Sequence, residues 1–221
     1  MKGGRPRVDK SRTAAAVSGR KGRAAVTFFC LREKPIMSEF IAASLAILFV
    51  LPVFLLAVAT PAAKFALSSS AFGDGKAIPT RHANKGVSGG QNVSPPLSWA
   101  NLPEGTKSLA VACIDRHPVA NGWVHWQVIN IPTSVNALSE GASRTTMLPA
   151  GVKELENTFR TAGWGGPQPP PGSGTHPYEF LLYALSVDTL NLPVKTNLAS
   201  FNKAINGKVL ATAKLVGTYE R

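Results

Sequence analysis

Apolar and polar positions divide the chain into two very different parts. Residues 40–59, FIAASLAILFVLPVFLLAVA, form an uncharged apolar run broken only by Ser44 and Pro52. From residue 107 onward the apolar residues come instead in runs of nine to thirteen, separated by turn-forming residues, which is the spacing of strands. Four such runs stand out: KSLAVACID (107–115), WVHWQVINI (123–131), YEFLLYALSV (178–187) and KVLATAKLVGTYE (208–220). Strict alternation in the second run places His125, Gln127 and Ile129 on one face and Trp126, Val128 and Asn130 on the other. TNLASFNKAING (196–207) carries the helical period instead, with Leu198, Phe201 and Ile205 on one side. Thr196 or Asn197 is its cap and Gly207 its stop. Turn-rich stretches at 92–107, 136–151 and 163–177 join these elements. The pattern predicts one all-β, β-dominated domain with one or two short helices and no internal repeat.

Charge sharpens the division. Residues 1–36 hold ten Lys or Arg against two acids, whereas residues 64–221 hold fourteen against nine, so most of the net charge of +12 belongs to the tail. A basic flank, an apolar run of about 20 residues and the small residues AVATPAA follow the order of an export signal, and the run is long enough to cross a bilayer of about 30 Å. The expected organisation is therefore a basic tail (1–36), a signal peptide or membrane anchor (37–63) and a folded domain (64–221) outside the cytoplasm, periplasmic, secreted or anchored. A buried core helix would not be apolar on every side beside such a tail. A nucleic-acid-binding arm would interleave aromatic residues with its cations. Cys30 and Cys113 flank the apolar run, which argues against a disulfide and against a cysteine zinc site, and leaves Cys113 as a small buried hydrophobe.

Candidate chemistry gathers at strand ends. Asp115 closes one predicted strand, His125 lies in the next, and His176 and Tyr178 open a third; if the strands are neighbours, these groups share one mouth. The segment before His176 is unusual, since ten of the fifteen residues 163–177 are Gly or Pro. Such a stretch cannot continue a helix or a ladder. It can form a stiff wall where glycine lets a ligand approach the main chain. His82 lacks this context and is expected in a solvated loop. Ser173 has no strand-to-helix elbow of the kind that exposes a nucleophile. No phosphate-binding loop is present, and Asp115, His125 and His176 fit no zinc spacing.

Together, NVSPPLSWANLPEGTKSLAVACID, GWVHWQVINIP, GWGGPQPPPGSGTHPYEFLLYAL and GTYER resemble the phosphatidylethanolamine-binding proteins, in particular their bacterial, Raf-kinase-inhibitor-like branch, from about Phe72 to Arg221. The resemblance implies an antiparallel Greek-key β-sandwich with a small anion cavity near one end. It assigns that cavity to Asp115, His125, His176 and Tyr178, with Pro169 and Pro170 as a wall and Trp164 as its aromatic. It carries no established catalytic step, metal or cofactor, and no counterpart of the C-terminal helix of eukaryotic members follows GTYER. The chain departs from the family pattern at Asp115-Arg116-His117-Pro118, which is a residue shorter and lacks a second acid. Either the mouth is less negative there, or Arg116 points to solvent. Pro177 stands where bacterial members usually have Arg.

The expected function is binding of a small anion by a protein that is not an enzyme. The ligand is phosphate, a phosphorylethanolamine-like headgroup or a carboxylate, gripped through a tight mouth. His125 and His176 donate hydrogen bonds, Tyr178 adds its hydroxyl, and Asp115 orients a His or takes the ligand's proton. Cationic imidazoles would make affinity fall as pH rises through about 6–7; neutral ones would leave it flat. The rival functions are a protein-interaction inhibitor whose cavity is vestigial and a weak hydrolase using Asp115 and the two His.

Overall fold

Within residues 63–221, which the computed structural model describes, the chain forms nine strands, one α-helix and two single 3-10 turns, Thr80–His82 and Pro118–Ala120. The tail and the apolar run that were assigned to export lie outside the described residues. In chain order the strands are β1 (Ala66–Ser68), β2 (Lys76–Ala77), β3 (Leu97–Ala100), β4 (Ser108–Asp115), β5 (Val124–Pro132), β6 (Ala137–Leu138), β7 (Lys153–Glu154), β8 (His176–Leu185) and β9 (Val209–Tyr219); the helix α1 (Leu198–Ile205) precedes β9. They form a three-stranded sheet, β1-β3-β6, and a six-stranded sheet, β2-β9-β8-β4-β5-β7. All pairings are antiparallel except that of β2 with β9.

The larger sheet is apolar on both faces at its centre, which is why β4 reads as a continuous apolar run rather than an alternation. Leu109, Val111 and Cys113 point into a core shared with the smaller sheet, through Leu67, Leu97, Trp99 and Leu138. Ala110, Ala112 and Ile114 point the other way, where Leu190, Phe201 and Ile205 cover the sheet. The helix does this with its predicted face, and Asn197 caps it by accepting the Ser200 N–H at 2.9 Å. Cys113 is fully buried and unpaired among the described residues, and burial drives its thiol pKa upward.

Two departures from the sequence pattern matter. Strand β8 begins at His176, two residues earlier than its apolar run, so His176 and Tyr178 belong to the strand and point to the same core face as Phe180 and Leu182. The alternation along β5 also fails. Cys113 pairs with Trp126 but Ile114 with Val124, so His125 is an extra residue in β5. Such a bulge turns its residue out of the normal alternation. The His125 ring accordingly lies 5.0 Å from that of Tyr178 and 6.3 Å from Trp164, while Gln127 bonds the carbonyls of Glu156 and Thr196. A second shift surrounds Asn130, which has a φ of 61° and bonds Leu190 through both ends of its amide.

Candidate functional site

The strand order brings the predicted groups together. Asp115, the last residue of β4, is the register partner of Tyr178 on β8, and β5 runs along the other side of β4. Asp115, His125, His176, Tyr178, Pro169 and Pro170 line one cavity of about 420 Å³, with Val119, Ala120, Trp123, Phe159, Gln168 and Arg221 completing its wall. That volume lies within the range of small-molecule sites and admits more than a bare phosphate.

A buried acid–imidazole pair forms one side of the cavity. Nδ1 of His176 donates to Asp115 Oδ2 at 2.6 Å, and Asp115 Oδ1 accepts the backbone N–H of His117 at 2.9 Å. Asp115 therefore both orients the ring and closes the turn after β4. The imidazole of His117 stacks on that of His176 with centroids 3.9 Å apart, and holds its place by accepting the Val119 N–H at Nδ1. At the far side of His176, Nε2 lies 2.9 Å from the hydroxyl of Ser173. That hydroxyl has one proton for two acceptors, the Pro170 carbonyl at 2.7 Å and Nε2, and gives it to one of them at a time. The glycine–proline loop thus engages the nitrogen of His176 that was expected to hold a ligand.

His125 behaves differently. Its Nδ1–H donates to the Gly165 carbonyl at 2.5 Å. Complete burial lowers its pKa to about 4 despite that bond and the nearby Asp115 charge, so the ring is neutral at physiological pH. With Nδ1 carrying the hydrogen, Nε2 is an acceptor. The expectation that His125 donates through its free ring nitrogen is therefore corrected: with Nδ1–H on Gly165, Nε2 has no hydrogen to give and can only accept. Tyr178 is the complementary donor. Its buried hydroxyl has no hydrogen-bond partner of ordinary geometry among the described residues, and burial together with the charge of Asp115 and a weak contact to its carboxylate pushes its pKa well above the usual phenol value, so it keeps its proton.

Trp164 does not line the cavity, contrary to expectation. It is buried behind His125, edge-on to Trp126 and stacked on Phe180, with its indole N–H on the His82 carbonyl at 3.1 Å. The residue after it, Gly165, carries the carbonyl that accepts from His125. The two following glycines are required by space. A Cβ on Gly166 would lie 2.1 Å from the His82 carbonyl oxygen, and one on Gly165 would lie 2.5 Å from the Phe159 ring. The same packing corrects the solvated loop expected for His82, which is fully buried, bonds the Val93 carbonyl through Nδ1 at 2.9 Å, and has its pKa lowered by burial.

Arg116 faces away from the cavity and pairs with Glu179 at 2.7 Å, which settles the two readings of the shortened acidic turn in favour of solvent. The cation of the cavity wall is Arg221, held by the Gly172 N–H on its carbonyl at 2.9 Å. Sequence reasoning missed Arg221, which closes the GTYER stretch, and His117, which lies in the departing Asp115–Pro118 turn, because only the folded chain brings the first to the cavity and the second onto His176. Among the described residues no three His, Cys, Asp or Glu side chains gather as a metal site.

Comparison with known proteins agrees with this fold. Residues 68–220 match the family model described as phosphatidylethanolamine-binding protein. The chain belongs to the phosphatidylethanolamine-binding protein family. It is 37% identical over 163 residues to the UPF0098 protein YbcL of Escherichia coli K12, covering 72% of this chain and 89% of the relative. The crystal structure of E. coli YbcL, described as a new member of the mammalian PEBP family, superimposes with a TM-score of 0.68 over 72% of this chain and 99% of that one. A homologue from Chlamydia trachomatis gives 0.61 at 32% identity, over 71% of this chain and 97% of that one. A relative from Mycobacterium tuberculosis H37Rv, 37% identical over 72% of this chain and 75% of its own length, is named putative lipoprotein LppC. The family match spans every residue of the cavity wall except Arg221.

Proposed function

We propose that the domain binds a small oxyanion carrying at least one proton, such as hydrogen phosphate, a phosphoryl headgroup or a carboxylic acid, in the cavity formed by Asp115, His125, His176 and Tyr178. The observation that carries this reading is the buried Tyr178 hydroxyl, a donor without a partner in a wall that also holds the acceptor Nε2 of His125. A ligand that both accepts and donates satisfies the two at once, and Arg221 supplies positive charge. An unpaired buried hydroxyl costs about 1–3 kcal/mol, which a bound ligand recovers. Export of the domain is part of the same reading; it rests on the basic flank and apolar run and on the lipoprotein name of one relative. The domain acts by binding rather than turnover, and a partner protein it modulates would read the occupied mouth. Calorimetric titration with phosphate and with phosphorylethanolamine tests the reading. Saturable heat that His176→Ala abolishes supports it, and equal heats from both proteins refute it.

A second reading has one observation in its favour. Ser173, His176 and Asp115 form a hydrogen-bonded chain with the spacings of a nucleophile, base and orienting acid. If the Ser173 proton turns from Pro170 to His176, Oγ can attack an ester carbonyl, His176 passes the proton to the leaving alkoxide, and water releases the acyl group. Turnover of p-nitrophenyl acetate that disappears in Ser173→Ala would establish this chemistry; equal turnover by both proteins would exclude it.

A further inference from the structure

Two residues past His125, β5 serves another recess. Gln127 lines a groove of about 660 Å³ together with Glu156, Arg160, Lys195, Thr196 and the start of α1. The Gln127 side chain is completely buried. Its Nε2 donates to the carbonyls of Glu156 at 3.1 Å and Thr196 at 3.2 Å. Because both neighbours are acceptors, the amide has only one satisfactory orientation. That orientation leaves Oε1 buried with no partner among the described residues. A buried acceptor of this kind asks for a donor.

The remaining polar walls are of two kinds. Glu156 adds a carboxylate beside Gln127, whereas Lys195 is exposed and Arg160 reaches Glu156 only at 3.8 Å with 87% of its side chain in solvent. The helix α1 begins at this groove, so its positive end adds to the two cations. Acceptors at the floor and positive charge at the rim complement a molecule bearing both an ammonium and a carboxylate. We propose that this groove is a second binding site, for an amino-acid or dipeptide zwitterion. The ammonium donates to Gln127 Oε1 and Glu156, and the carboxylate meets Lys195, Arg160 and the first turn of α1. The site shares only Trp123 with the anion cavity, so it does not depend on the function proposed for that cavity.

The test is ligand-observed saturation-transfer NMR on the full chain in mild detergent, with glycylglycine as probe and its N,N,N-trimethyl derivative as the analogue without N–H donors. Glycylglycine is expected to bind saturably and the trimethyl analogue at least tenfold more weakly. The surface double substitution Arg160→Ala/Lys195→Ala, which leaves the core untouched, is expected to weaken glycylglycine about tenfold. Tyr178→Phe is expected to leave it unchanged, which separates this site from the anion cavity. Absence of saturable binding, equal binding of the two probes, or an unaltered affinity in the double variant overturns the proposal.

Discussion

Acid sensitivity should report directly on His125. Its imidazole is completely buried, donates to the Gly165 carbonyl, and has a pKa of about 4 in the folded protein. In the unfolded chain the same group titrates near 6.5. Between those values the unfolded state binds a proton that the folded state refuses, so stability falls as pH drops through 6.5 and goes on falling until about 4. Each pH unit in that window costs about 1.36 kcal/mol, so at about pH 4.5 the loss due to His125 is about 2–3 kcal/mol relative to neutral pH. His82, also buried with a lowered pKa, adds a loss of the same sign. Urea unfolding of wild type and His125→Gln, followed by tryptophan fluorescence at neutral pH and at about pH 4.5, isolates the His125 contribution as the difference between the two acid losses. Wild type should lose about 2–3 kcal/mol more than the variant over that interval. Equal acid losses would mean that His125 titrates normally in the fold, and the assignment of its Nε2 as an acceptor would fall with it.

Tyr178→Phe should weaken phosphate binding by about 1.5–3 kcal/mol, the worth of a hydrogen bond to a charged group, while urea unfolding shows stability unchanged or higher because an unsatisfied hydroxyl has been removed. Ser173→Ala frees Nε2 of His176 for a ligand and should tighten phosphate binding by about 1 kcal/mol, read by calorimetry. Gly166→Ala sets a methyl against the His82 carbonyl and the following peptide; a loss of about 2–3 kcal/mol in thermal or urea unfolding is expected, with anion affinity falling as the Gly165 carbonyl shifts from His125.

What the sequence discloses here, and what it hides, follows from the kind of information involved. The four long strands and α1 were legible because hydrophobic period is a local property, and the glycine–proline loop declared itself because no regular element tolerates it. Asp115, His125, His176 and Tyr178 were legible through their motifs. The partners of those groups were not. Arg221 reaches the cavity through a bond from Gly172, and His117 reaches His176 across the sheet; neither contact leaves a trace in spacing. Trp164 was misplaced for a related reason, since an aromatic beside a motif can serve as a ligand wall or as backing for one, and only packing decides. The orientation of His125 was also hidden, because a single extra residue in a strand has no signature in an alternating pattern.

That extra residue makes the length of β5 more consequential than its composition. Were one position deleted between Trp123 and Gln127, the imidazole would rejoin the ordinary zigzag beside the glutamine, and the cavity would trade a ring for whatever followed. Relatives that preserve every side chain of this stretch but not its residue count should therefore be expected to recognise different molecules.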